Sequence, residues 1–311
     1  MSRETKTVLV TGGLGSIGHV LCAQLLEGGY RVIIVDDLSV GRREFLERLP
    51  DVQFYQCDIA DYKNLEKVFS GNSVDAVVHL AAKHYIPYCR THPKEATDTN
   101  VFGTLNVLLL MQQYRVSHLV FASTSSVYRP AEHSYKEDDA LEPIDIYGIS
   151  KLLCENAIRL YAPLAPFSYT ILRFFNVYGP DDLVPHVIPE LVKQARFSNV
   201  VRVGNLESKR DFIHVRDVVD AIEKSLVLSA ARNATYNVGT GRAFSIREVF
   251  EALCDAAGKR LALEVEESRK RVSDPAMLLA DIAKITTELG WRPDPNFSLK
   301  TVFSETQFWP A

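Results

Sequence analysis

The sequence predicts an α/β fold: a doubly wound parallel sheet followed by a smaller C-terminal lobe. Three observations carry this. Apolar strand-like runs at 7–11, 31–35, 52–56, 75–80, 118–122 and 167–173 alternate with helical patterns at 16–28, 61–69, 97–115 and 147–162. Runs that are apolar on both faces and separated by helices belong to a parallel sheet with right-handed crossovers. The first run, Thr7-Val8-Leu9-Val10, leads into Thr11-Gly12-Gly13-Leu14-Gly15-Ser16-Ile17-Gly18, a glycine-rich turn opening a helix. The second run ends in Asp36-Asp37.

The turn and the aspartate belong to one chemistry. Glycines admit a pyrophosphate close to the backbone, and the helix start offers free N–H groups and a positive dipole end. The positions expected to serve are Gly12, Gly15, Ser16, Ile17 and Gly18. A carboxylate about 20 residues further on accepts from both ribose hydroxyls of NAD. Asp36 fits that place and repels a 2′-phosphate, so NAD is expected over NADP despite Arg42 and Arg43.

The 311 residues suffice for one large or two smaller domains, and 47% hydrophobic with 24% charged residues is an ordinary globular composition. A net charge of −4 leaves no basic footprint for nucleic acid or an anionic membrane. No apolar run approaches the ~20 residues of a membrane span, and the polar start, Met1 to Lys6, predicts no signal peptide. Five scattered cysteines show no metal-ligand spacing and predict free thiols in a cytoplasmic protein, with no metal. Beyond about residue 176 prolines arrive and elements shorten. Residues 1–176 are therefore expected to form the dinucleotide-binding domain and 177–311 mainly the substrate lobe. Residues 209–239 are expected to return to the first domain as strand, helix and strand.

Tyr147 and Lys151 stand four residues apart, on one face of a helix. A nearby ammonium favours the phenolate, so the tyrosine is expected to titrate nearer working pH and to act as a base on a hydroxyl. Ser123 to Tyr128 lies at the carboxyl end of a strand, the edge where open α/β sheets bind ligands.

These motifs, with Asp58-Ile59, His79-Leu80-Ala81-Ala82 and Asn100 to Thr104, resemble the extended short-chain dehydrogenase/reductase family. Arg173 to Pro180, Arg210 to Val215, Tyr236 to Gly241 and Arg271 to Pro275 resemble its nucleotide-sugar epimerases and dehydratases, of the UDP-glucose 4-epimerase type. The resemblance spans nearly the whole chain. It implies Tyr147 as base, Lys151 on the nicotinamide ribose and Thr124 on the reacting hydroxyl. It implies cofactor contacts from Asp37, Leu38, Asp58, Ile59, Leu80, Ala81, Ala82 and Asn100. It implies Asn176 on the sugar diphosphate, Arg210 and Arg271 on the phosphates and Asp274 on the nucleoside ribose. A UDP-sugar substrate and a homodimer through helices 97–115 and 147–162 follow from the same source. Without a ligand, Arg210 would instead pair with Asp211 or Asp217, and Arg271 would join a solvated basic face.

Dehydratases of this family carry Asp and Glu directly after the catalytic Thr; this chain has Ser125 and Ser126, which cannot serve as acid and base near neutral pH. Family decarboxylases keep the Glu. Asp181-Asp182 would repel a uronate. The expected reaction is 4-epimerisation through a transient ketone with tightly held NAD. A ketoreductase, dehydrogenase or dehydratase of the same family and a non-catalytic NAD sensor stand as alternatives. Departures from the family pattern are Arg129, the stretch Lys83-His84-Tyr85-Ile86-Pro87-Tyr88, and a segment after Pro180 without the usual Arg-Gln. His84 would carry a proton or bound the sugar, or else bond backbone at a loop start. His79 and Trp291 are expected to pack, and His186 to lie near the nucleotide or to be a surface group at a helix start.

Overall fold

The computed structural model of the chain describes residues 5–165, 167–269, 275–299 and 303. Its strands are β1 (Thr7–Thr11), β2 (Arg31–Asp36), β3 (Gln53–Gln56), β4 (Ala76–His79), β5 (His118–Thr124), β6 (Ser168–Phe174), β7 (Asn176–Tyr178), β8 (Val200–Val203), β9 (Lys209–His214), β10 (Ala234–Val238), β11 (Ala243–Ser245), β12 (Ala262–Val265) and β13 (Met277–Leu278). The helices are α1 (Gly18–Glu27), α2 (Tyr62–Ser70), α3 (Ile86–Thr91), α4 (Pro93–Thr97), α5 (Gly103–Gln113), α6 (Ile146–Tyr161), α7 (Val187–Phe197), α8 (Val215–Val227), α9 (Ile246–Ala257) and α10 (Ala283–Leu289).

Among the described residues the large sheet has seven strands in the order β10-β6-β5-β4-β1-β2-β3, every pair parallel. Side chains alternate between its faces. Val8, Val10, Val32 and Ile34 pack with α1 and α8, whereas Leu9, Ile33 and Val35 pack with α2, α5 and α6. The order reverses between β1 and β4, which opens a crevice at their carboxyl ends. The glycine-rich turn leaves β1 there, and Leu80 to Ala82 leave β4 beside it.

Residues 209–239 divide between the two lobes. β10 joins β6 in the large sheet and α8 packs beside α1, as a return to the first domain requires. β9 stays outside that sheet: it pairs with β7 and β13 in parallel and β11 antiparallel. The cause is local. The Phe175 N–H donates to the Val238 carbonyl at 3.0 Å, closing β6 against β10, and the chain then diverges as β7. α7, α9 and the β8–β12 pair complete the small lobe around Ile188, Leu191, Val201, Val249 and Phe250.

The helix expected over 97–115 is not uniform. α4 enters it early, and Asp98–Phe102 forms a π turn before α5. Such a turn widens a helix by one residue and is often used to aim a side chain. Here Asn100 points inward, accepts from Lys83 N at 2.7 Å and donates to Lys83 O at 3.0 Å and Ser150 Oγ at 2.9 Å.

One buried network ties α6 to the sheet. Arg173 of β6 grips Glu155 of α6 through Nε at 2.9 Å and Nη2 at 2.8 Å. Ser123 of β5 and Arg159 donate to the same carboxylate at 2.6 and 2.8 Å. Arg173 Nη1 also donates to Tyr128 Oη and the Glu137 carbonyl, both at 2.9 Å, and Tyr128 donates to Asn237 of β10 at 2.7 Å. Burial alone would push Glu155 up, but the arginines hold its carboxyl below the ordinary range. Removing one partner leaves an uncompensated buried charge. Glu155→Ala is therefore expected to lower folding stability by about 3–5 kcal/mol, read from urea unfolding.

His79 is fully buried between Thr11 Oγ1 at 2.6 Å and Thr104 Oγ1 at 3.0 Å, and burial pulls its pKa from 6.5 to about 3. Burial pulls His118 down to about 4. Below pH 6.5 the unfolded chain takes up protons that the folded chain refuses, so stability falls with pH. Each histidine should withdraw about 1.4 kcal/mol per pH unit between its two pKa values. Urea midpoints measured from pH 7 to 4 should fall accordingly, and His79→Gln should flatten the profile.

Candidate active site

A cavity of about 940 Å³ runs from the glycine-rich turn, past the ends of β4 and β5, to the small lobe. At its first end the turn is compact for a steric reason. Gly12 has φ +68°, and a Cβ there would lie 2.8 Å from Ala81 N. A Cβ on Gly18 would lie 2.2 Å from the Gly12 carbonyl oxygen. Gly15, Ser16 and Ile17 line the cavity between them.

Asp36 lines the same end. Its two oxygens accept from Leu14 N and Leu38 N, each at 2.9 Å, which aims the carboxylate at the cavity. Burial pushes its pKa up. Asp37, Asp58, Ile59, Leu80, Ala81 and Ala82 also line the cavity. Leu38 and Asn100 do not: Leu38 turns the chain at φ +61°, and Asn100 holds the Lys83 backbone from behind while Thr99 faces inward. Lys83, absent from the expected set, reaches across the mouth to Ser39 Oγ at 2.8 Å, near Asp37 and Glu95.

Thr124, Ser125, Ser126, Tyr147 and Lys151 come together at the middle. The approach depends on Gly148. A Cβ there would lie 2.3 Å from the Ser126 carbonyl oxygen, so only glycine lets the start of α6 reach the turn after β5. Asp145 caps that helix by accepting from Gly148 N at 2.8 Å. The glycine between Tyr147 and Ile149 was the available sequence signal for this contact.

Electrostatics at Tyr147 differ from the expectation. Burial pushes its pKa above the ordinary tyrosine value, and only its hydrogen bond with Thr124 acts the other way. Lys151 is itself desolvated, down to about 8, with Nζ 4.5 Å from the Phe121 ring centroid. The ammonium bears instead on His79 and His84. Desolvation outweighs the expected pairing in the protein alone.

The small lobe closes the far end. Among the described residues, Asn176 Oδ1 and His214 Nε2 are the buried side-chain polar atoms without a hydrogen-bond partner, and Asn176 lines the cavity. Arg210 lines it too and donates to the Lys209 carbonyl at 2.7 Å. Asp211 is engaged elsewhere, by Thr240 N at 2.7 Å and Gly241 N at 2.9 Å, and Asp217 by Asp294 N at 2.9 Å. Arg271 and Asp274 lie outside the described residues. His84 lines the cavity, is held neutral by burial with a pKa of about 4, and its ring centroid lies 5.6 Å from that of His186. Asp182 does not face the cavity as a bare charge, because His186 Nδ1 lies 2.9 Å from it. Trp291 packs beneath α8, its N–H donating to the Asp217 carbonyl at 3.2 Å. Among the described residues no group of three or more His, Cys, Asp or Glu side chains is arranged to hold a metal ion.

Known proteins share this fold. The sequence model of the GDP-mannose 4,6 dehydratase family matches residues 9–305. UDP-glucose 4-epimerase of Bacillus subtilis is 32% identical over 311 residues, 91% of each chain. The crystal structure of UDP-glucose 4-epimerase from Thermotoga maritima with UDP-glucose superposes with a TM-score of 0.90 at 31% identity, covering 97% of each chain. That of Thermus thermophilus UDP-glucose 4-epimerase with NAD gives 0.88 at 30% identity, covering 98% of this chain and 99% of that one. With its sheet order, glycine-rich turn and Tyr147/Lys151 pair, the chain belongs to the nucleotide-sugar epimerases and dehydratases of the extended short-chain dehydrogenase/reductase family.

Proposed function

We propose that the chain is an NAD-dependent nucleotide-sugar 4-epimerase acting on a UDP-sugar. The observation that carries this reading is the convergence of Thr124, Tyr147 and Lys151 beside Ser125 and Ser126, where water elimination would need an acid and a base. The similar proteins named above are 4-epimerases of UDP-glucose, which supports the same conclusion.

The residues present suit NAD. The cradle at Gly12 and Gly18 has no room for a Cβ, and the buried Asp36 carboxylate is aimed at the same end. Gly15, Ser16 and Ile17 would hold the pyrophosphate, Asp36 the adenosine ribose, Asp58 and Ile59 the adenine, and Lys151 the nicotinamide ribose. When bound, the nicotinamide supplies the hydride acceptor and donor and a formal positive charge.

Tyr147 Oη takes the proton from the sugar C4 hydroxyl and returns it to the same oxygen, with Thr124 Oγ1 orienting that oxygen. To act so Tyr147 must be the phenolate, and the formal positive charge of a bound nicotinamide beside it would oppose the desolvation that raises the tyrosine in the protein alone. Asn176, through its amide N–H groups, and Arg210 would take the sugar diphosphate. We assign residues 1–176 to the dinucleotide domain, joined by α8 and β10, and most of 177–311 to the substrate lobe. Five free thiols suit a cytoplasmic enzyme.

The homodimer expected through α5 and α6 is supported by apolar side chains left in solvent on or beside those helices: Phe102, in the π turn before α5, at 55% exposure, Leu153 at 50% and Leu160 at 71% on α6, and Leu164 just beyond at 77%. Light scattering should return about twice the chain mass of 34.9 kDa, and Leu153→Lys should return the monomer.

Incubation with UDP-, dTDP-, GDP- and CDP-sugars, read by NMR, is expected to give a C4 epimer of a UDP-sugar without net NADH. A dehydrated product or net NADH would overturn the reading. Tyr147→Phe is expected to lower kcat by about 100-fold or more while NAD stays bound.

A further inference from the structure

The segment that opens the small lobe is fastened to the glycine-rich turn. Leu183 N donates to Ser16 Oγ at 3.0 Å. Asp181 Oδ2 lies 3.4 Å from both His19 Nε2 and Arg48 Nη1. His19 is in the first turn of α1, and its ring cannot swing: it stacks on Phe45 with centroids 4.0 Å apart, and Nδ1 lies 2.8 Å from the Gly15 carbonyl oxygen. The His19 contact is the largest influence holding the Asp181 carboxyl below its ordinary range. The next residue, Asp182, is held by His186 of its own lobe, which meets His84 of the other. Ser16, His19, Asp181 and Asp182 all line the cavity.

We propose that Asp181 to Leu183 are a strap across the pyrophosphate end of the cavity, so that a bound dinucleotide leaves only when the Asp181–His19 and Leu183–Ser16 contacts break. Asp181 and His19 are positioning residues here. The strap belongs to the substrate lobe and its anchors to the dinucleotide lobe, so movement of one lobe is transmitted to the other. Arg48 adds little, because its guanidinium is largely in solvent. The proposal rests on the NAD reading above. It gives a redox-neutral cycle what it needs, a cofactor that stays through many turnovers.

The test is release of radiolabelled NAD from the folded holoprotein into excess unlabelled NAD. Asp181→Asn is expected to speed release about tenfold, which is about 1.4 kcal/mol of retention. His19→Gln should speed release as well, and Asp181→Asn added to it should bring no further increase, because one contact is removed twice. Release from Asp181→Asn at the parental rate, or effects of the two substitutions that multiply, would overturn the strap. A parental protein that takes up no label at all would overturn the cofactor reading itself, a separate result.

Discussion

The Glu155–Arg173 pair sets the position of everything that reacts. Tyr147, Lys151 and Glu155 follow one another at four-residue steps, so they form a single inward stripe on α6. The last of the three is gripped by β6 and bonded to β5 through Ser123. Fixing Glu155 fixes the axial height of α6, and with it the distance of the tyrosine from Thr124 at the end of β5. Two buried charges are expensive to desolvate, and a well-packed apolar pair would give equal or greater stability. An apolar pair could slide by a turn, whereas a bidentate guanidinium–carboxylate contact has one register.

The same logic runs through the other close approaches. Gly148 brings α6 against the turn after β5, Gly18 brings α1 against the glycine-rich turn, and the π turn brings Asn100 against Lys83. Each moves a helix or a side chain toward the carboxyl edge of the sheet. β9, by leaving the large sheet, supplies Arg210 from the opposite side, and the cavity is the space between these two sets of elements.

Much of this was legible in the sequence. The apolar runs marked six strands to within two residues, because burial on both faces of all but the edge strand β3 leaves no polar alternation to confuse the period. The glycine-rich turn, Asp36 and the Tyr147/Lys151 spacing located the cavity because each is a local pattern. What stayed hidden depends on residues far apart in the chain. Arg173 read as part of a motif and proved to be half of a buried pair. Nothing in the sequence marked the hydrogen bonds by which Asn100 braces Lys83. The tyrosine was expected to be tuned by its neighbouring lysine, but desolvation is a property of the assembled site and reversed the sign. β9 resembled a strand of the large sheet because burial pattern alone does not name a partner.

The placement of β10 has a consequence during synthesis. It is the outermost strand beside β6, yet some 60 residues separate the two in the chain, including β7, α7, β8, β9 and α8. A ribosome that has released residues up to 174 has made six strands whose last member presents a bare hydrogen-bonding edge. Asn237, which receives the Tyr128 hydroxyl in the finished molecule, has not yet been made. The nascent chain must therefore keep that edge from pairing with other chains until residue 238 emerges, and a fragment truncated before α8 would carry the exposed edge permanently.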